Sequence, residues 1–336
     1  QNFIFASAEN DIAITPNGKF PLKWKNQGKF ILDGSDPGND WQGWIPASQN
    51  PTVKNPPRNF VSSANQSSTD PTYPYYINWE FAPYERGQRI NDRLTKMDKI
   101  TTDSMRIVLM DSYSLVAENL LPSILPLVNT EQLNATQKKA FNITSKWNKY
   151  FDANEIAGSI FDLWLKKLTA SIWEDDFTIA DIPMRFPSRD RTIELIQKTP
   201  NSKWFDNVKT SQKETLADLV NSSFKSTCDS LEKKFGPIGK DWYWGNVKGT
   251  NVPHLAKIPG FGSQKLLIGG SKSTVNAISE TNGPSWRMVI ELGKNVKGHG
   301  VYPGGQSGNP GSKFYDNMID TWAQGKLNDL FFMQSA

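Results

Sequence analysis

The period of hydrophobic positions changes twice along the chain. At the start, FIFAS (residues 3–7) and DIAIT (11–15) predict two strands joined by a short turn at Glu9-Asn10, and PNGK (16–19) carries an Asn-Gly turn signal. From Asp33 to Pro57 the chain reads DGSDPGNDWQGWIPASQNPTVKNPP, too rich in Pro, Gly and Asp for regular structure, so a loop is expected. In FVSSANQSS (60–68) the segment Phe60–Ala64 predicts a further strand that runs into small polar residues and a single amide, Asn65.

The middle takes a helical period. Glu85–Leu94 predicts a short charged helix, and Thr101 or Thr102 can cap a longer one, DSMRIVLMDSYSLVAENLL, stopped by Pro122. In EIAGSIFDLWLKKLTASIW (155–173), Ile156, Ile160, Leu163, Trp164 and Leu168 fall on one face. Ser211 and Glu214 have capping-box spacing, ahead of an apolar stripe through Leu216, Leu219, Val220, Phe224, Cys228, Leu231 and Phe235 that Gly236 ends.

The last hundred residues return to strand patterns at 265–270, 273–279 and 285–293, followed by the glycine-rich VYPGGQSGNPGS (301–312) and a helix over KFYDNMIDTWAQG. Helices between two β blocks predict an α+β fold in which distant strands share one sheet. The expected division is a β-rich 1–84, a mainly helical 85–240 and a β-rich return over 241–336 with a C-terminal helix.

Composition narrows the chemistry. The 336 residues carry a net charge of +4 with Lys and Arg scattered among Asp and Glu, which argues against a nucleic-acid partner. No apolar run approaches the ~20 residues of a membrane-spanning helix, so no membrane partner is expected. Cys228 is the single cysteine, so there is no disulfide framework, and its place on the apolar stripe marks it as core. His254 and His299 are the only histidines and lack ligand spacing, which argues against zinc. Asn richness and near-absence of Cys fit a periplasmic or secreted protein. The four N-x-S/T sequons, at Asn65, Asn134, Asn142 and Asn221, carry little weight in so Asn- and Ser-rich a chain. Gln1 opens on NFIFAS with no basic stretch or cleavage site, so a chain beginning within a longer protein, or after processing, is expected.

Single features do not name a reaction. PGGQSGNPGS lacks the lysine of a phosphate loop, each histidine reads as structural rather than as a base, and Asp175-Asp176 reads as a solvated turn. The Trp41–Trp44 loop, WQGW, could stack on a sugar, or anchor the loop to the core edge.

The order of the motifs is more telling. FIFASAENDIAITPNGKFPLK, WQGWIPASQNPTVKNPPRNFVSSANQ, the Tyr73-Pro74 pair, ERGQRI (85–90), WFDNVKTSQKET (204–215), DWYWGNVK (241–248), GPSWRMVIELG (283–293) and YPGGQSGNPGSKFYDNMIDTWAQGKL (302–327) follow one another along nearly the whole chain. In that order they resemble the penicillin acylase family of N-terminal nucleophile hydrolases, in the later part of the β subunit.

That resemblance implies part of an αββα sandwich and an amidohydrolase cleaving a linear amide of an N-acyl compound through an acyl-serine intermediate. It implies that Asn65 is the oxyanion-hole amide and that Arg86 gives the site electrostatic support. A neutral amide can donate to a developing O⁻ without adding a charge that would trap the product. Gln66 stands where the family usually has a second Asn, and Lys248 where it often has His. The family nucleophile is an N-terminal serine, and Gln1 has no hydroxyl, so the implied chain is a C-terminal fragment, inactive alone, whose partners are an α subunit and the earlier part of the β subunit. No organic cofactor and no catalytic metal are implied. Some members hold a structural calcium nearby, but YYINW (75–79) lacks the carboxylate expected for it. The alternative from another class is a non-catalytic secreted carbohydrate-binding or scaffold module using Trp41 and Trp44.

Overall fold

The computed structural model describes residues 2–179 and 182–333. The chain forms two compact units, one of residues 1–108, 289–299 and 329–336, the other of 109–288 and 300–328.

The first unit opens with β1 (Asn2–Ala6) and β2 (Ile12–Pro16), an antiparallel hairpin in the register Asn2↔Pro16 to Ala6↔Ile12, and β2 also pairs with the two-residue β3 (Val53–Lys54). Asn10 turns the hairpin at φ 67°, a left-handed conformation that Asn tolerates better than most residues. Phe3, Ile4 and Phe5 are 59%, 57% and 56% exposed, and since successive strand residues point to opposite faces, both faces of β1 are open. Two helices follow, α1 (Glu85–Thr95) and α2 (Thr102–Leu109).

The strand expected over residues 60–64 does not form: they belong to no strand and join no sheet, and a bend begins at residue 64. Arg58 Nε donates to the Phe60 carbonyl at 3.0 Å, and Ala64 is held at its N–H and its C=O by side chains. Among the described residues the backbone groups of 61–63 have no hydrogen-bond partner, so the apolar-to-polar pattern of a strand is present without a neighbour to complete the ladder.

The second unit is mainly helical: α3 (Leu115–Ile124), α4 (Ala135–Ser145), α5 (Ala157–Phe177), α6 (Arg189–Lys198), α7 (Leu216–Phe235) and the short α8 (Trp244–Lys248), with a two-strand ribbon of β4 (Thr178–Ile179) and β5 (Ile182–Pro183). The buried spine of α5 is Ile160, Trp164, Leu168 and Ile172, each with no exposed surface. Burying one such side chain stabilises by roughly 1.5–3 kcal/mol. The spine packs on α7, where the Trp164 and Phe224 ring centroids lie 4.8 Å apart and Trp164 Nε1 donates to Ser223 Oγ at 3.1 Å. Cys228 lies fully buried in the same interface, and burial pushes its thiol up to about 12, which makes it core rather than nucleophile.

Several boundaries differ from the expected ones. The single helix expected from 103 to 121 is two, because Asp111 to Ser114 is claimed by other bonds: the Ser112 carbonyl accepts from Phe151 N–H, Ser114 N–H donates to Lys149, and Ser114 Oγ caps α3 through Ala117 N–H at 3.1 Å. Pro122 does not stop α3, which continues to Ile124. The capping box of α7 is Thr215–Asp218, not Ser211–Glu214; Glu214 instead binds Thr210 Oγ1 and Asn207 N–H. Gly236 ends α7 at φ 74° as expected. Asp175 and Asp176 lie in the last turn of α5 and not in a turn.

The segments 265–270 and 273–279 are not strands. Their backbone is bonded to loops instead: Leu266 N–H to Thr250, Gly270 N–H to Phe151 and Asn276 N–H to Asp111, at 2.8, 2.8 and 2.9 Å. Of 285–293, only β6 (Arg287–Glu291) is a strand; it belongs to a three-stranded sheet in the order β6-β7-β8 with β7 (Lys297–Val301) and β8 (Asn328–Leu330). The last helix, α9, is only Ile319–Ala323.

Candidate active site

Asn65 has φ 67°, a left-handed conformation that Asn tolerates better than most residues. Ala64 before it is 5% exposed, whereas Asn65 itself is exposed. Three contacts fix this geometry. The Asn65 carbonyl accepts from Ala82 N–H at 3.0 Å, just ahead of α1. Gln66 folds back, its Oε1 accepting from Ala64 N–H at 2.7 Å. Arg86, in the first turn of α1, donates from one guanidinium nitrogen to the Ala64 carbonyl at 3.0 Å and to Asn65 Oδ1 at 3.4 Å.

The last contact decides which way the carboxamide faces. A guanidinium can only donate, so it claims the amide oxygen and leaves Nδ2 pointing away. Asn65 Nδ2 has no hydrogen-bond partner among the described residues. The result is an exposed, oriented N–H donor beside a fixed cation, which is the arrangement that stabilises a developing oxyanion.

The support of this turn includes contacts, and two residues of α1, Gly87 and Asn91, that the sequence did not single out. Gln66 is packed against α1 at Gly87, where a Cβ would come within 3.1 Å of the Gln66 side chain. Ser62 Oγ donates to Asn91 Oδ1 at 2.7 Å, so a second α1 residue holds the approach to Asn65. The spacing of Gly87 one residue after Arg86 is the only sequence signal that could have pointed to this packing. A cleft of about 530 Å³ runs beside the turn, lined by Asn2, Arg58, Ser62, Ser63, Gln66 and Tyr73 among others. Among the described residues none of the four serines there, Ser62, Ser63, Ser67 and Ser68, is bonded to a histidine or lysine: Ser62 donates to Asn91, Ser63 accepts from Asn2 Nδ2 at 2.6 Å, and Ser67 donates to the Thr69 carbonyl.

The remaining sequence candidates fall elsewhere. His299 Nδ1 pairs with Asp329 at 2.9 Å across β7 and β8, and His254 Nδ1 accepts from Ala256 N–H. The Trp41 and Trp44 rings meet edge-on at 66°, so they do not form one flat stacking platform. Lys248, given no role from the sequence, is 7% exposed and donates from Nζ to the Gly269 and Gly270 carbonyls at 2.8 and 2.9 Å; burial pushes its ammonium down to about 7.

The fold is that of the penicillin acylases. Over 98% of the chain it superposes, with a TM-score of 0.61 and 15% identity, on 64% of the thermostable penicillin G acylase from Alcaligenes faecalis. The penicillin amidase family model matches residues 1–336, and the chain belongs to that family. Among curated relatives, the acyl-homoserine lactone acylase QuiP of Pseudomonas syringae pv. syringae is 24% identical over 362 residues, covering 98% of this chain and 44% of its own. Penicillin acylase 2 proenzyme of Pseudomonas sp. strain SE83 is 23% identical over 168 residues, covering 50% of this chain and 21% of its own. The chain therefore spans less than half the length of these relatives.

Proposed function

We propose that this chain supplies the oxyanion-hole portion of an amidohydrolase that cleaves the linear amide of an N-acyl compound, an acyl-homoserine lactone or a penicillin. The observation that carries this reading is the Asn65 carboxamide, its oxygen held by Arg86 and its Nδ2 free to donate. In the reaction, a serine hydroxyl attacks the amide carbonyl, and charge collects on the carbonyl oxygen. Asn65 Nδ2–H donates to that oxygen while Arg86 keeps the carboxamide from rotating. Collapse expels the amine and leaves an acyl-serine, which water hydrolyses through a second oxyanion in the same place.

The nucleophile and its amine base belong, on this proposal, to the part of the family chain that these residues do not span. Two observations support the view that more polypeptide packs against the first unit: the consecutive exposure of Phe3, Ile4 and Phe5, and the backbone of 61–63, which has no hydrogen-bond partner among the described residues. The test is acyl release from N-decanoyl-homoserine lactone and from penicillin G, measured for the purified 336-residue chain and for the full product of its gene. The expected result is turnover by the full product alone. Turnover by the 336 residues that survives Asn65→Ala would refute the reading.

A further inference from the structure

The helical unit holds a cavity of about 690 Å³, within the usual size of a small-molecule site. Phe151, Phe161, Trp244 and Ile278 give it apolar walls, and Lys248 and Ser159 add polar atoms to the same lining. None of its lining residues belongs to the Asn65 site, so its occupancy is a question separate from the amide chemistry.

Two of these polar groups are incompletely satisfied. Lys248 Nζ donates to two carbonyl oxygens and lies 5.4 Å from the Trp244 ring centroid, but among the described residues no carboxylate pairs with it. An ammonium has three donors, so one N–H is left over. Asp162 acts on Lys248 through space, yet its carboxylate is bonded to Lys166 at 2.7 Å. A buried cation is stable when an anion meets it, and this one has none. Ser159 is 1% exposed and its Oγ has no hydrogen-bond partner among the described residues. The two groups come from elements in contact: a Cβ on Gly158 would lie 3.6 Å from Trp244 Cβ, and Lys248 is one helical turn beyond Trp244 on α8.

We propose that this cavity binds a monocarboxylate with an aliphatic tail, the carboxylate accepting from Lys248 Nζ and Ser159 Oγ and the tail lying against Phe151, Phe161 and Trp244. Two donors in one cavity lining match the two oxygens of a carboxylate, and the single free ammonium donor matches one negative charge. The aromatic walls account for the tail, since a small hydrophilic anion would leave them unused.

The test is calorimetric titration of the purified 336-residue chain with decanoate and with decan-1-ol. Decanoate is expected to bind at least tenfold more tightly than decan-1-ol, and Lys248→Met, checked by its circular dichroism melt, is expected to abolish that preference. Ser159→Ala is expected to weaken decanoate several-fold. Photolabelling of the unmutated chain with a diazirine-bearing decanoate gives a reading that needs no variant to fold, and should mark peptides containing 151, 159–166 or 244–248. Absence of saturable decanoate binding, equal affinity for the alcohol, an unchanged preference in a folded Lys248→Met, or label confined to other peptides would each overturn the proposal.

Discussion

Arg86 holds the carboxamide oxygen of Asn65 at 3.4 Å while gripping the carbonyl of the preceding Ala64 at 3.0 Å, so one guanidinium sets both the backbone turn and the direction of the side-chain amide. Both contacts come from one guanidinium nitrogen, whose two N–H groups are fixed in the plane of the group; a lysine ammonium rotates freely on a differently shaped stem and does not hold the two acceptors in that fixed geometry. In the full gene product, Arg86→Lys is expected to lower kcat about tenfold with little change in KM, because the donor is misdirected and not removed. Steady-state kinetics on an N-acyl substrate check this.

Gly87 separates activity from stability. Alanine there would favour α1 by up to ~1 kcal/mol in helix propensity. The added Cβ would also press on Gln66, whose Oε1 holds Ala64 N–H at 2.7 Å. Gly87→Ala is expected to leave the melting temperature equal or higher while cutting kcat roughly 2–10-fold through displacement of the turn. Paired thermal melts and kinetics decide it.

Lys248 makes stability depend on pH. Burial lowers its ammonium from the ordinary 10.5 to about 7. Below pH 7 the lysine is protonated in both the folded and unfolded chains, and folding carries the cost of the buried charge. Between about 7 and 10.5 the unfolded chain keeps a proton that the folded chain has released, so stability rises with pH across that window. Urea unfolding of the wild-type chain and of Lys248→Met from pH 6 to 10 should show this rise in the first and its loss in the second.

The start of α7 offers a local test. Thr215 Oγ1 accepts from Asp218 N–H, and the Asp218 carboxylate accepts in turn from Thr215 N–H at 2.9 Å. Thr215→Ala is expected to cost about 1 kcal/mol. Ser211→Ala, at the position that the sequence pattern favours as cap, is expected to stay within about 0.5 kcal/mol. Urea denaturation midpoints at a common m-value distinguish the two.

What could be read from the sequence follows from where each signal is local. The β1–β2 hairpin, the apolar faces of α5 and α7 and the end of α7 at Gly236 depend on neighbours a few residues away, and they lie where their patterns place them. The patterns at 265–279 read as strands because they are short apolar runs, but their partners are the loops around Phe151 and Thr250, more than a hundred residues away for Phe151. The cap falls at Thr215, four residues beyond the Ser211 that the pattern favours, because Glu214 is taken by Thr210 Oγ1 and Asn207 N–H in the fold. At the site, Asn65 and Arg86 were legible as motif positions. The direction of the amide and the Gln66–Gly87 packing were not, because each depends on contact with a helix some twenty residues further on; in the helical unit, the burial of Lys248 against the Gly269 and Gly270 carbonyls was not legible either.

The most direct test of the account is the kinetics of Asn65→Ala in the full gene product on N-decanoyl-homoserine lactone or penicillin G, whichever it hydrolyses. Removal of one oxyanion donor should lower kcat by about 10²–10³ while KM stays close to wild type. A kcat within a factor of two of wild type would contradict the assignment of Asn65 to the oxyanion hole.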